Sequence, residues 1–426
     1  MLRRLYNVFF TLLLPVVFVR LLIKSVSLPE YRYRWKERLG FIDLPNLKET
    51  LWVHAVSVGE AIAAVPIIQR FLEKYPNTKM VITTMTPTGS QRVIEAFKEN
   101  LGKDIFHVYV PYDISWCVKR FLKRTNPKLV ILMETELWPN ILHYCGKKKI
   151  EVLIANGRLS ATSVSRYQKM SGVVKNMLSE VSMVAAQSQE DISRFLSIGM
   201  KKNNIHNTGN IKFELLIPPH AQEKGTQLRK MFGGGRPVWI AASTHDGEER
   251  LILSAFKQLK RQFSNLMLIL VPRHPERFDK VFELCQQEGF KAIRRSQKTP
   301  CTPSTDIYLG DTMGELLTFY AASDLAFVGG SLVPIGGHNL LEPAALGLPV
   351  LTGPHLFNFT AISELLFQAK GAQKVTDVTS IVQVISELLS NAKMRHRQGQ
   401  RAKDVVQKNK GALEKLFTLI DTLWGK

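Results

Sequence analysis

Short, wholly apolar runs alternate with amphipathic stretches along most of this chain, and that alternation restricts the fold more than any other feature. A run that is apolar on both faces suits a parallel strand covered above and below, and an amphipathic stretch suits the helix crossing over to the next strand. A first series predicts strands at Leu51–His54, Met80–Thr84, His107–Val110, Leu129–Met133, Val152–Asn156, Met183–Ala186 and Ile205–Thr208. A second series predicts them at Val238–Ala242, Leu266–Val271, Asp306–Leu309, Leu325–Val328 and Pro349–Leu351. Between the two, from Phe213 to Arg236, periodicity is lost in a polar stretch with Pro218, Pro219 and Gly233-Gly234-Gly235, which reads as a hinge. The expectation is an α/β chain of two facing, doubly wound, Rossmann-like domains, with ligands held beyond the carboxyl ends of both sheets.

Leu5 to Ile23 forms the one strongly apolar stretch long enough to cross a hydrocarbon core, interrupted by Pro15 and Arg20. Arginines and lysines flank it on both sides, and no small-residue cleavage site follows it, so it reads as an uncleaved anchor that spans the membrane or lies in its interface. A first helix packed on the protein body is the competing reading, because Arg20 and Pro15 are poor guests in lipid. The predicted organisation is an anchor at 1–25, a first Rossmann-like domain at 26–213, a linker at 214–235 and a second, nucleotide-binding Rossmann-like domain with terminal helices at 236–426. The formal charge of +21, carried throughout the chain, points to anionic partners: nucleic acid, phospholipid or a phosphorylated glycolipid. The four cysteines form no C-x-x-C pair and have no histidine at metal-ligand spacing, so neither a disulfide framework nor a zinc site is indicated and a reducing cytoplasm is the natural setting.

The candidate chemistry follows the strands. Phe327 to Gly353 reads as a strand end, two glycine pairs (Gly329-Gly330 and Gly336-Gly337), a helix over Asn339–Ala345 and a further strand. Such a run can cradle a nucleotide phosphate on its free N–H groups, with Glu342 accepting from ribose hydroxyls, or can be an ordinary glycine-rich turn. Pro272-Arg273-His274 offers a guanidinium whose forked donors suit a phosphate, and Met313-Gly314-Glu315 opens another post-strand loop. Ser243-Thr244-His245 occupies the same kind of position. In the first domain, Ser57 and Glu60 have capping-box spacing, while Glu60 also stands where a general base would meet an attacking hydroxyl. For that role burial has to counteract the helix dipole, which weakens a carboxylate as a base. Glu134-Thr135-Glu136 is a weak divalent-ion signal without further ligands and fits better as a hydrogen-bonding or electrostatic group, and Lys212 places a positive charge near the hinge.

Taken in order, the blocks Tyr31-Arg32-Tyr33-Arg34-Trp35-Lys36-Glu37-Arg38-Leu39-Gly40, His54 to Glu60, Glu134 to Asn140, Gly209 to Phe213 and the glycine-rich run resemble the 3-deoxy-D-manno-octulosonic acid (Kdo) transferases of lipopolysaccharide assembly. The resemblance covers nearly the whole chain. It implies a GT-B fold, CMP-Kdo as donor, a lipid A precursor (lipid IVA) as acceptor, an inner-membrane location with the catalytic domains on the cytoplasmic side, no tightly bound metal, and no nucleic-acid partner. It also implies roles: Glu60 as catalytic base, Glu134 and Lys212 as transition-state stabilisers, and Pro272, Arg273, Met313, Gly314, Glu315, Asn339, Leu340, Leu341 and Glu342 as CMP-binding residues. Two rivals remain at this point: a GT-B transferase or epimerase acting on a UDP-sugar, and a basic, membrane-tethered binding protein without turnover.

Overall fold

The structure is a computed structural model and describes residues 2–215, 217–233 and 235–425, so Gly234 of the glycine triplet lies outside it. The chain divides into two units. One comprises the residues up to Glu214 together with those from Lys410 onward, and the other is Leu215–Asn409.

The first unit is built on seven parallel strands: β1 (Thr50–His54), β2 (Met80–Thr84), β3 (Ile105–Tyr109), β4 (Pro127–Met133), β5 (Glu151–Gly157), β6 (Met183–Ala186) and β7 (Ile205–Asn207). They lie in the order β3-β2-β1-β4-β5-β6-β7. Every residue of β1 and β2 is buried, as a strand covered by helices on both faces must be. Strand order reverses between β1 and β4, and the carboxyl end of the sheet at such a point leaves room between diverging loops. Glu60 follows β1 and Glu134 follows β4.

The second unit repeats the design with β8 (Val238–Thr244), β9 (Met267–Pro272), β10 (Ala292–Arg294), β11 (Ile307–Leu309), β12 (Leu325–Val328), β13 (Val350–Thr352) and β14 (Ala372–Lys374). Their order is β10-β11-β9-β8-β12-β13-β14, all parallel, with the reversal between β8 and β12. The predicted strands are all present within a residue or two at each end. The edge strands β10 and β14 escaped prediction because each is three residues long and partly polar.

Two predicted boundaries are corrected. The stretch read as a linker at 214–235 contains a helix, Pro219–Met231, whose Gly225 packs so closely on the helix Leu316–Ala321 that a Cβ there would fall 2.4 Å from the Cβ of Ala321. It is part of the second unit, further fixed by the Arg229–Asp324 ion pair at 2.8 Å. The domain predicted to run to 426 ends at Asn409, because the last helix, Ala412–Trp424, buries Leu416, Phe417, Ile420 and Leu423 against Ile67 and Phe71 of the first unit. Trp424 meets Phe71 edge to face at 5.2 Å, and Tyr75 donates to Asp421 at 2.7 Å.

The apolar N-terminal segment is one helix, Leu2–Ser27, long and apolar enough to cross a membrane. One side rests on the first unit: Tyr6 donates to Asp113 (3.0 Å), the Ser115 amide donates to Asn7 (2.7 Å), and Phe18 packs on Trp35 with ring centroids 4.9 Å apart. The other side is exposed and apolar, with Leu12 at 74% and Val26 at 78%.

Candidate active site

In the first unit, Ser57 caps the helix Val58–Lys74, and the capping box is complete. The Ser57 hydroxyl accepts from the Glu60 amide at 3.2 Å and donates to Glu60 Oε1 at 2.7 Å, while the Val56 amide donates to Oε2 at 2.8 Å. Glu60 as a residue is only 6% exposed. Burial pushes it up to about 7, against the lowering effect of the Ser57 and Val56 hydrogen bonds, with the charges of Glu134 and Glu136 adding to the rise. The cap and this carboxylate are therefore one arrangement: the bonds orient it and burial tunes it to neutral pH. Gly59 is exposed, and a Cβ there would meet nothing nearer than Ser57 Oγ at 3.9 Å, so the backbone beside Glu60 is open to another molecule.

Glu134 and Glu136 part company. Glu134 adopts a left-handed backbone (φ 56°) that turns its side chain toward Lys212, whose Nζ donates to Oε1 at 3.1 Å. Glu136 accepts from the Trp138 indole at 2.6 Å and is pushed up chiefly by burial. Among the described residues no group of three or more His, Cys, Asp or Glu side chains is arranged to hold a metal ion. Lys212 sits in a single 3₁₀ turn, Ile211–Phe213, whose first amide donates to Asn156 Oδ1 at 3.0 Å, while the Lys212 amide donates to Asn210 Oδ1 at 3.0 Å. Asn156, near the end of β5 and also left-handed (φ 57°), lies in the post-strand segment Asn156-Gly157-Arg158-Leu159-Ser160, to which the sequence alone assigns no role. Its signal was present, since Asn is among the few side chains that tolerate this conformation after a strand.

In the second unit the glycine-rich run differs from its predicted use. The Gly330, Ser331 and Leu332 amides all donate to the buried carboxylate of Glu248, at 2.7, 3.0 and 2.9 Å, and the His245 amide joins them at 2.9 Å. The anion in this cradle is the protein's own. Gly329 is required because a Cβ would lie 2.6 Å from the Ser243 carbonyl oxygen and 2.8 Å from Glu248 Oε2; Gly330 (φ 66°) is required because one would lie 2.9 Å from the His338 ring. The predicted helix over Asn339–Ala345 is a single turn, Leu341–Ala345, and the helix after Gly314 is only Leu316–Ala321, so neither carries an extended dipole.

Arg273 acts electrostatically on both His338 and Glu342. Burial lowers His338, with the positive charge of Arg273 adding to the fall, and that charge and the 3.0 Å bond from Asn339 to Oε1 oppose the burial-driven rise of the Glu342 carboxyl. Leu340 and Leu341 are packed in the interior, so only their backbone can meet a ligand. Met313 is exposed and nothing lies within 4 Å of where a Gly314 Cβ would be. The Glu315 carboxylate, by contrast, is engaged by Arg295 through two bonds of 3.0 and 2.8 Å and is held low by them.

Residues 33–215 match the family described as 3-deoxy-D-manno-octulosonic-acid transferase (kdotransferase), and residues 248–405 match glycosyl transferases group 1. A 3-deoxy-D-manno-octulosonic acid transferase from Haemophilus influenzae is 42% identical over 97% of this chain and 98% of its own length. One from Bordetella pertussis is 32% identical over 89% of this chain and 88% of its own length. The chain belongs to the Kdo transferase family. This member of the Kdo transferases is a glycosyltransferase. The UDP-GlcNAc 2-epimerase of Neisseria meningitidis, 13% identical, shares the fold with a TM-score of 0.59 over 88% of this chain and 100% of its own. The Kdo transferase match contains Glu60, Glu134, Asn156 and Lys212, and the group 1 match contains Glu248, Arg273, His338 and Glu342.

Proposed function

We propose that this protein transfers Kdo from CMP-Kdo to a lipid A precursor, with inversion, in the assembly of the lipopolysaccharide core. Glu60 takes the proton of the acceptor hydroxyl, that oxygen bonds to the anomeric carbon of Kdo, and the bond from that carbon to the phosphate oxygen breaks, releasing CMP with the electron pair. The observation that carries this reading is the buried, hydrogen-bonded Glu60 carboxyl poised at about 7, in a chain of this family. Lys212, paired with Glu134, supplies positive charge to the developing transition state. Arg273 binds the phosphate, Glu342 takes the ribose hydroxyls, and the Met313-Gly314-Glu315 backbone with Asn339, Leu340 and Leu341 encloses the nucleotide. No tightly bound metal takes part.

The helix Leu2–Ser27 holds the enzyme at the inner membrane with its catalytic units on the cytoplasmic side. Its polar contacts near Tyr6 and its aromatic contact at Phe18 run along the first unit, which favours a helix lying in the interface with its outer face in lipid. The test is a panel of CMP- and UDP-sugars with lipid A precursor as acceptor: turnover is expected with CMP-Kdo, and turnover restricted to a UDP-sugar would overturn the reading.

A further inference from the structure

At the reversal of strand order in the second sheet, His245 after β8 and His338 after β12 meet ring to ring. Their Nε2 atoms are 2.8 Å apart, with ring planes within 6° and centroids 5.0 Å apart. That contact is too short for stacked faces and is an edge-to-edge N–H···N bond, so one ring must carry hydrogen on Nε2 and the other must not. In the neutral pair the acceptor ring therefore has its hydrogen on Nδ1, and the donor ring has a bare Nδ1. One added proton fills that bare nitrogen and leaves the central bond intact, making both Nδ1 atoms donors. A second would crowd two hydrogens into the gap, so the pair holds one extra proton and no more.

The groups facing the pair decide when it takes that proton. Arg273, Arg277 and His274 act against it, the last edge to face with His245 at 5.2 Å, while Glu248 acts for it. Arg277 is neutralised by Glu249 and Asp246, each at 2.9 Å, and the Glu248 carboxylate is engaged by four amides. Burial together with the charge of Arg273 pushes His338 down to about 3. A doubly charged phosphate beside Arg273 reverses the sign of the local field.

We propose that His245 and His338 act as one proton-sharing unit that binds a phosphomonoester dianion and takes up a single proton from solvent as it does so. The inference rests on the second unit being the CMP site. During transfer the donor's phosphodiester, with one negative charge, becomes CMP with two as its bond to the sugar carbon breaks. The protonated pair supplies one positive charge and one N–H donor, from the Nδ1 that faces the phosphate, against that new charge, and releases the proton when CMP leaves.

The test is calorimetric titration of CMP into the full-length protein at pH 7.5 in buffers of different ionisation enthalpy, with cytidine as the phosphate-free comparison. At this pH free CMP is already mostly dianionic. The expected result is uptake of about one proton per CMP and about none with cytidine. In His338→Asn and His245→Asn, and in His338→Gln, which keeps a donor but cannot take a proton, uptake should fall to near zero and CMP should bind about tenfold more weakly. CMP binding without proton uptake in the unsubstituted protein, or uptake that survives in these variants, would overturn the proposal. Because the CMP and cytidine comparison uses no variant, a misfolded substitution does not shelter it. No binding of CMP at all would instead remove the nucleotide reading on which the inference stands.

Discussion

Lys212 Nζ lies 3.1 Å from Glu134 Oε1, and the two residues come from opposite sides of β5, where the Glu134 amide donates to the Ala155 carbonyl and the Ile211 amide to Asn156 Oδ1. The pair is only partly exposed, with the lysine side chain at 27% and the glutamate at 28%, so its geometry is held by the 3₁₀ turn and not by the ion pair alone. Lys212→Met should lower kcat by about 10²-fold, the scale of one lost electrostatic contact to a transition state. Affinity for CMP, which is proposed to bind the second unit, should not change. Asn156→Ala should lower kcat in the same direction by about tenfold, because it frees the Ile211–Phe213 turn without removing a charge. Steady-state kinetics paired with CMP titrations separates these outcomes, and a loss of CMP binding in either variant would contradict the assignment.

Glu60, as the proposed base, should set the pH dependence. Its carboxyl is raised from an ordinary value to about 7, so the base is ionised above that pH and protonated below it, and kcat/KM should fall as pH drops through about 7. Ser57→Ala removes a bond that favours the charged form, which moves the acid limb upward by as much as about one pH unit. Glu60→Gln should cost on the order of 10² to 10⁴ in rate. The folded state keeps this proton between about 4.5 and 7 while the unfolded chain has lost it, so the group's contribution to stability declines as pH rises through that window. A pH-rate profile of Ser57→Ala that overlays the unsubstituted enzyme would contradict the account.

The strands were legible because each is a short apolar run buried on both faces, as β1 and β8 show. Glu60 was legible for a related reason, since its place after β1 and three residues from Ser57 depends only on local order. What stayed hidden depended on distant parts of the chain. The partner of the Gly330 to Leu332 amides is Glu248, 82 to 84 positions earlier, and no local pattern distinguishes an amide cradle filled by a phosphate from one filled by a glutamate. The docking of Leu416 and Phe417 on the first unit was hidden likewise, because an amphipathic helix records that it has an apolar face and not which surface covers it.

Glu248 is predicted to be the residue whose loss most damages the second unit. Its removal leaves four inward-facing amides without an acceptor, each costing about 1–3 kcal/mol when buried and unpaired. Glu248→Ala should therefore accelerate amide hydrogen exchange at Gly330, Ser331 and Leu332 and weaken CMP binding, with exchange in β1 and β4 unchanged. Unaltered exchange at those three amides would show that the loop holds its shape without the carboxylate.

The outer face of the Leu2–Ser27 helix should govern membrane attachment. Leu12→Glu replaces a side chain that is 74% exposed and apolar with a charge. Its transfer into lipid would otherwise contribute about 1.5–3 kcal/mol, so binding to anionic vesicles should weaken by about tenfold or more. Sedimentation with vesicles measures the attachment, and CMP titration checks that the second unit is intact. Full vesicle binding by Leu12→Glu would place the attachment elsewhere on the protein.

The most direct measurement is the mass of lipid A precursor after incubation with CMP-Kdo and the purified protein. A gain equal to one or more Kdo residues, with stoichiometric release of CMP and its near disappearance in Glu60→Gln, is the predicted result. An unchanged lipid mass with the unsubstituted protein, or equal product from Glu60→Gln, would contradict the central claim.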